Sequence, residues 1–239
     1  MIENLRGIVL QCVKHNDKTS ILTLYTPTHA CLTLAVPAGS GPRARSRAVT
    51  RMPLAQVEFT CNIKPGQSIQ RPGALQLTAT YSSLYFHPVK SALGIFISEF
   101  LTRLLRDTPP DPVLFSYLSG ALRLLDSTPA TPANFHITLL AGLTGLLGIA
   151  PDVSRPTHIF DMRAGAYTPL HPGHPDVLMG ERARLPLILS RLNFSNMHLL
   201  RLSRTERTEL LAGLLRYYSM HLGLPATYTS LPVLAQIFD

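Results

Sequence analysis

Apolar residues in the first eighty positions come in short runs with a period near two, and turn residues separate the runs. Residues 6–15, 19–26, 30–37, 53–62 and 73–82 read as five β-strands. Asn16-Asp17-Lys18 supplies the first turn, Pro27 and Pro37 stop the next two strands, and Pro65-Gly66 makes another turn. Five short strands in so small a span suit a closed barrel, because an open sheet of that size leaves unpaired edges. The OB-fold is the five-stranded barrel best suited to oligonucleotides.

The period changes after residue 85. Val89, Leu93, Phe96, Ile97, Phe100, Leu101 and Leu104 recur at three- and four-residue spacing, an amphipathic helix opened by His87-Pro88. Asp111-Pro112 and Thr131-Pro132 each place a capping residue before a proline suited to the first helical turn. They predict helices near 112–126 and 132–148, the second stopped by Gly148. Ser203 and Glu206 have capping-box spacing and open a helix that runs to about Leu222 and ends at Gly223. A short last helix spans 230–238. The interval 151–178, with Pro151, Pro156, Pro169, Pro172 and Pro175, shows no clear period and reads as an irregular excursion. The expected fold is α+β and multidomain, with a five-stranded OB-fold β-barrel over 1–82 and an all-helical C-terminal domain over 83–239.

Composition supports a folded chain: 239 residues, 46% hydrophobic, mean hydropathy +0.16. Charge adds a partner class. Residues 1–80 hold nine basic and three acidic side chains, net +6, whereas residues 81–239 hold 13 and 11, net +2. A positive field concentrated in one third of the chain attracts polyanions, with nucleic acid first and anionic membrane second. Between the third and fourth strands, residues 38–51 carry Arg43, Arg45, Arg47 and Arg51 and no acid, which reads as a mobile basic loop for phosphate contact. Lys14 and Lys18 flank the first turn. Tyr25, Phe59 and Tyr81 are candidates for stacking on bases, although aromatics in small barrels more often form core. Arginine outnumbers lysine 18 to 4, which fits phosphate recognition and fits a nucleotide bias of the source genome equally well. Arg103 and Arg106 close the first helix, where they complement its dipole or hold a carboxylate.

The three cysteines, Cys12, Cys31 and Cys61, form no CxxC pair and exclude a four-cysteine zinc site; they read as buried thiols in a reducing compartment. The N-terminus lacks a signal pattern, and the weakly charged stretch 132–150 is short for a membrane span and broken by Gly142, Gly145 and Gly148. The expected location is cytoplasmic and nucleoid-associated. No GxxxxGK[ST], GxSxG, HExxH or GxGxxG occurs and no carboxylates pair, so the expectation is a non-enzyme without a cofactor. His158, Asp161, His171 and His174 form the one metal-like cluster, but Pro172-Gly173 between the histidines gives a turn, so no metal is assigned. His136, His198 and His221 fall in predicted helices as surface or hydrogen-bonded core residues. Two other classes stay open: an adaptor whose barrel docks proteins and binds DNA only weakly, and a hydrolase using the histidine cluster.

RGIVLQCVKHNDKTSILTLYT, PRARSRAVTRMPLAQVEF, SALGIFISEFLTRLL, NFHITLLAGLTGLLGIAPD and YYSMHLGLPATYTSLPVLAQIF, in that order and spacing, resemble the RecO family of bacterial recombination mediators, closest to its Bacteroidetes-type members. The resemblance covers nearly the whole chain. It implies binding of single- and double-stranded DNA, annealing of complementary strands, and help in loading RecA onto DNA coated by single-stranded DNA-binding protein, without nucleotide hydrolysis. It implies RecR and the acidic C-terminal tail of single-stranded DNA-binding protein as partners. By position, Lys14, Lys18, Arg43, Arg45, Arg47 and Arg51 would contact DNA, and Arg103, Arg106 and Arg123 the acidic tail. Many relatives carry a four-cysteine zinc site just after the segment matching GLLGIAPD. This chain has no cysteine after Cys61, and HIFDMRAGAYT stands in that place, held by packing alone.

Overall fold

The computed structural model describes residues 2–38, 48–129 and 132–237. The chain forms two compact units, Met1–Thr131 and Pro132–Asp239, and the architecture is α+β.

In the first unit six strands form one sheet in the order β5-β3-β2-β1-β4-β6: β1 (Ile2–Lys14), β2 (Thr19–Thr26), β3 (Ala30–Pro37), β4 (Gln56–Asn62), β5 (Ile69–Gln70) and β6 (Gln76–Leu77). β1 is long enough to serve two neighbours. Its first half pairs with β4 and its second with β2, with a bulge between Val9 and Gln11. Alternate residues point inward, and Leu5, Val9, Leu22, Leu24, Leu34, Val36, Val57 and Phe59 pack together. Each such side chain contributes about 1.5–3 kcal/mol of burial. Gly7 lies where a Cβ would approach Leu24 Cδ1 to 2.6 Å, so this strand position takes no larger residue without repacking.

The expected strand 73–82 is corrected. Residues 69–77 pair at one end with β3, in parallel, and at the other with β4, with a single bridge from Pro72 to Cys61 between them. The segment therefore joins the two sheet edges by chain continuity, and no continuous ladder closes the barrel. The cause is local. Pro72 has no N–H to give, and Gly73 approaches β4 so closely that a Cβ would lie 2.5 Å from Thr60 Oγ1.

Helices α1 (Pro88–Leu104) and α2 (Pro112–Ser127) cover the outer face of β1, β2 and the start of β3. Both open as the prolines predict; Asp111 Oδ1 accepts from the amides of Val113 at 2.7 Å and Leu114 at 3.1 Å. Ser98 donates to the Leu10 carbonyl at the bulge, Tyr25 to Pro109, and the Cys31 thiol to Leu105. Burial pushes that thiol up to about 11. Two polar clusters tie the helices down. Gln56, 2% exposed, donates to Tyr81 and to the Ser119 carbonyl, and accepts from Ser119 and Arg123. Lys90, 4% exposed, donates to Ser83 Oγ and to the carbonyls of Asp126 and Thr128 at 2.6–2.7 Å, capping the C-terminus of α2. Partial burial raises the Asp126 carboxyl, but the amides of Ser82, Ser83 and Leu84 outweigh it and hold the group below its ordinary value.

The second unit contains α3 (Phe135–Leu146), α4 (Leu185–Ser190), α5 (Arg204–Leu222) and α6 (Leu231–Gln236). The α5 capping box forms, and Gly223 ends the helix at φ +67°. α3 begins three residues after Pro132, because Asn134 spends its side chain on the carbonyls of Met197 and Leu200; Thr131 lies outside the described residues. His136 and His221 are helical as expected, whereas His198 sits in the 3-10 turn Met197–Leu199.

The unit is not all-helical, and the 151–178 excursion is not irregular. β7 (Ile159–Asp161), β8 (Ala166–Thr168) and β9 (Val177–Met179) form an antiparallel sheet in the order β8-β7-β9. Packing alone does not hold it either. Phe160 and Met162 pack on Tyr217 of α5, while Arg163 and Arg216 both bind the buried Asp176 carboxylate. His221 pairs with the Met162 carbonyl at 2.9 Å, and Tyr217 donates to Ile149. Among the described residues no helix is long and apolar enough to cross a membrane.

Candidate nucleic-acid interface

The β1–β2 turn is built by Asn16, whose Oδ1 accepts from the amides of Lys18 at 2.9 Å and Thr19 at 2.8 Å. The turn presents Lys14 and Lys18 to solvent. Lys14 pairs with Asp17 at 2.8 Å, but with side-chain exposures of 68% and 96% that pair contributes little and yields readily to a phosphate. The exit of β3 lies alongside: Thr19 is opposite Pro37, and the Ala38 amide donates to the Lys18 carbonyl at 2.7 Å. Arg51 returns to the same place, donating from Nη1 to the Ala38 carbonyl at 3.3 Å. Its charge also reaches β1, where it offsets part of the rise that burial imposes on the Cys12 thiol.

One end of the sheet thus gathers Lys14, Lys18, Arg51 and both flanks of the arginine-rich stretch. Arg43, Arg45 and Arg47 lie outside the described residues. The uncovered outer face beside this end carries the cross-strand pairs Gln11–Thr23, Thr23–Thr33, Val13–Ile21 and Ile21–Ala35, with no acid and no aromatic ring. That surface accepts a phosphate backbone without like-charge repulsion but offers no stacking platform. The three stacking candidates are core: Tyr25 is 0%, Phe59 2% and Tyr81 8% exposed. Both tyrosine hydroxyls donate to carbonyls, Tyr25 to Pro109 and Tyr81 to Leu54.

Arg103 pairs with Glu99 at 2.7 Å one helical turn away, and Arg123 donates to Gln56 at 3.3 Å. Arg106 is exposed at the end of α1. The structure shows no shared ligand-like arrangement of the three.

The histidine cluster does not assemble. His174 meets Asp161 at 3.4 Å, His171 accepts from the Gly173 amide, and His158 is exposed. The described residues contain no group of three or more His, Cys, Asp or Glu able to hold a metal ion. The zinc that the resemblance associates with this place does not fit the residues present, and the Asp176–Arg163–Arg216 cluster occupies the region instead. Sequence reasoning missed that cluster, whose members are 13 and 40 residues apart and share no motif. The same unit has a cavity of about 960 Å³ lined by Phe160, Leu178, Leu185, Leu210 and Leu214.

Comparison with known proteins agrees with this layout. Residues 1–81 match the family described as Recombination protein O N terminal, and residues 86–228 match Recombination protein O C terminal. The chain is 32% identical over 242 residues to the DNA repair protein RecO of Bacteroides fragilis and 32% over 244 residues to that of Phocaeicola vulgatus, covering 100% of both chains in each case. It is 30% identical over 236 residues to the DNA repair protein RecO of Flavobacterium psychrophilum, covering 98% of each. With both halves matched and full-length relatives at this identity, the chain belongs to the RecO family of DNA repair and recombination proteins.

Proposed function

We propose that this chain is a recombination mediator that binds single- and double-stranded DNA, anneals complementary strands and helps load RecA onto DNA coated by single-stranded DNA-binding protein. It works without enzymatic chemistry and without a cofactor. RecR and the C-terminal tail of single-stranded DNA-binding protein are its protein partners, the tail meeting the surface around Arg103, Arg106 and Arg123. The carrying observation is the convergence of Lys14, Lys18 and Arg51 with both flanks of the acid-free arginine stretch at one end of the barrel. With no exposed aromatic on the neighbouring face, affinity comes from phosphates, so binding is insensitive to sequence and steeply dependent on salt.

The test is fluorescence anisotropy of a labelled single-stranded oligonucleotide titrated with protein across a series of salt concentrations. Each phosphate contact contributes about 0.7 to the logarithmic salt slope, or about fivefold in affinity at ~0.1 M salt. Lys14→Glu with Lys18→Glu, and separately Arg45→Glu with Arg47→Glu, should each weaken binding about 25-fold and flatten the slope by about 1.4. Wild-type affinity in both double variants would remove this end of the barrel from the DNA contact. Binding that vanishes at moderate salt even in the wild type would favour a protein-docking adaptor.

A further inference from the structure

The second unit has its own acid-free basic stretch. Residues 182–205 contain Arg182, Arg184, Arg191, Arg201 and Arg204 and not one Asp or Glu. The whole unit carries nine basic and seven acidic side chains, net +2, so this stretch holds all of its excess. Arg182 is spent on Glu209 at 2.9 Å. Arg184, Arg191 and Arg201 are exposed and make no ion pair among the described residues.

Their placement is ordered. Arg184 and Arg191 bracket α4 in helical conformation, so Arg184, Ile188 and Arg191 share one face at i, i+4 and i+7. The two guanidinium stems are about 10 Å apart along the axis, roughly three steps of a nucleic-acid strand. Ile188 between them is 42% exposed. The next turn continues the strip. Asn196 donates to the Arg191 carbonyl at 2.9 Å, tying the 3-10 turn Met197–Leu199 to the end of α4. His198 and Leu199 are exposed there, Leu199 at 69%, and Arg201 follows. From beneath, Asn134 holds the carbonyls of Met197 and Leu200, while Arg207 holds Asn134 and the Leu202 carbonyl. The backbone from Arg191 to Leu202 is therefore held before any ligand arrives, which lowers the entropic cost of binding.

We propose that Arg184, Arg191 and Arg201, with Ile188 and Leu199 between them, form a second nucleic-acid contact surface, separate from the barrel, that holds a single strand by its phosphates. The proposal rests on the reading that this chain binds DNA. A row of guanidiniums spaced along an open strip fits a repeating polyanion, and the two exposed aliphatic side chains give the sugar and base edges an apolar rest.

The test uses the full-length protein and the same oligonucleotide. Arg184→Glu with Arg191→Glu should lower affinity about 25-fold at ~0.1 M salt and flatten the salt slope by about 1.4, and Arg201→Glu should add about fivefold. Arg184→Lys with Arg191→Lys, which keeps the charge, should hold the wild-type slope. Thermal unfolding should be unchanged, since these side chains are exposed. Combined with Lys14→Glu and Lys18→Glu, the losses should multiply, as for independent sites. Wild-type affinity in the Arg184/Arg191 variant while the Lys14/Lys18 variant is weakened would overturn the second surface and leave the barrel reading standing. Wild-type affinity in both would overturn the strip and remove Lys14 and Lys18 from the contact, whereas no DNA binding by the wild-type protein would overturn the DNA reading itself. Unchanged DNA binding with loss of binding to a labelled acidic peptide would assign the strip to a protein partner and overturn it as a nucleic-acid site.

Discussion

Lys90 is the sharpest test of how the first unit holds its helices. Its ammonium makes three hydrogen bonds, to Ser83 Oγ and the Asp126 and Thr128 carbonyls, while only 4% of the residue is exposed. Lys90→Met keeps the stem and removes the charge. The Thr128 carbonyl then loses its partner, at about 1–3 kcal/mol if water stays out, while the Asp126 carbonyl keeps the Ser83 hydroxyl. The interaction of the cation with the helix C-terminus, up to about 2 kcal/mol, is lost as well. Against this, the variant no longer desolvates an ammonium, a saving of several kcal/mol that offsets part of the loss. Because Thr128 is half-buried, water relieves part of its loss too. The expected net is about 1–2 kcal/mol of destabilisation. At a urea dependence of ~2 kcal/mol per molar, the midpoint of the first unit should fall by about 0.5–1 M. A shift below about 0.2 M would show that ammonium desolvation cancels the cap, and the latch would then not be a stabilising element.

Two predictions concern pH. Burial, aided by Arg207, pushes His136 down to about 3, so it stays neutral in the folded state while the unfolded chain protonates near 6.5. Stability from this residue is therefore complete above pH 6.5 and is lost as pH falls towards 3, by about 2 kcal/mol at pH 5; chemical denaturation of His136→Gln should be flatter across that window, and an equally steep curve would refute the assignment. Asp176 is held below the ordinary carboxylate range, first by its hydrogen bond from Arg163 and then, against burial, by Arg216. Its contribution is present above pH 4 and disappears as pH falls through the lower folded value. Asp176→Asn should raise amide exchange across β7–β9 at neutral pH and leave the barrel strands unchanged; unaltered exchange in β9 would mean that packing on Tyr217 suffices.

Legibility followed range. Caps made by neighbouring residues, such as Asp111 on Val113 and Leu114, Ser203 with Glu206, and Gly223, stood in the sequence because every partner lies within a few positions. The barrel strands were legible because one face is buried and the other polar. β7, β8 and β9 were not: each has three residues, too few to show a period, and the surrounding prolines signal only turns. In residues 73–82 the alternation of Leu75, Leu77 and Ala79 signals a continuous strand, whereas Pro72 and Gly73 decide the pairing. Within the site, Arg51 stands out by the charge of its stretch and Lys14 and Lys18 by position in the resemblance, and the meeting of Lys18 and Arg51 at Ala38 required the fold. Burial of Tyr25 could not be read, since its cover is Pro109 and Phe115, more than 80 residues away.

The most direct test of the mediator reading is annealing of two complementary fluorescent oligonucleotides, both coated with single-stranded DNA-binding protein, without ATP. Wild-type protein should accelerate annealing, and Lys14→Glu with Lys18→Glu should abolish the acceleration at physiological salt while the protein remains folded. No acceleration by the wild type, alone or with RecR, would contradict the account.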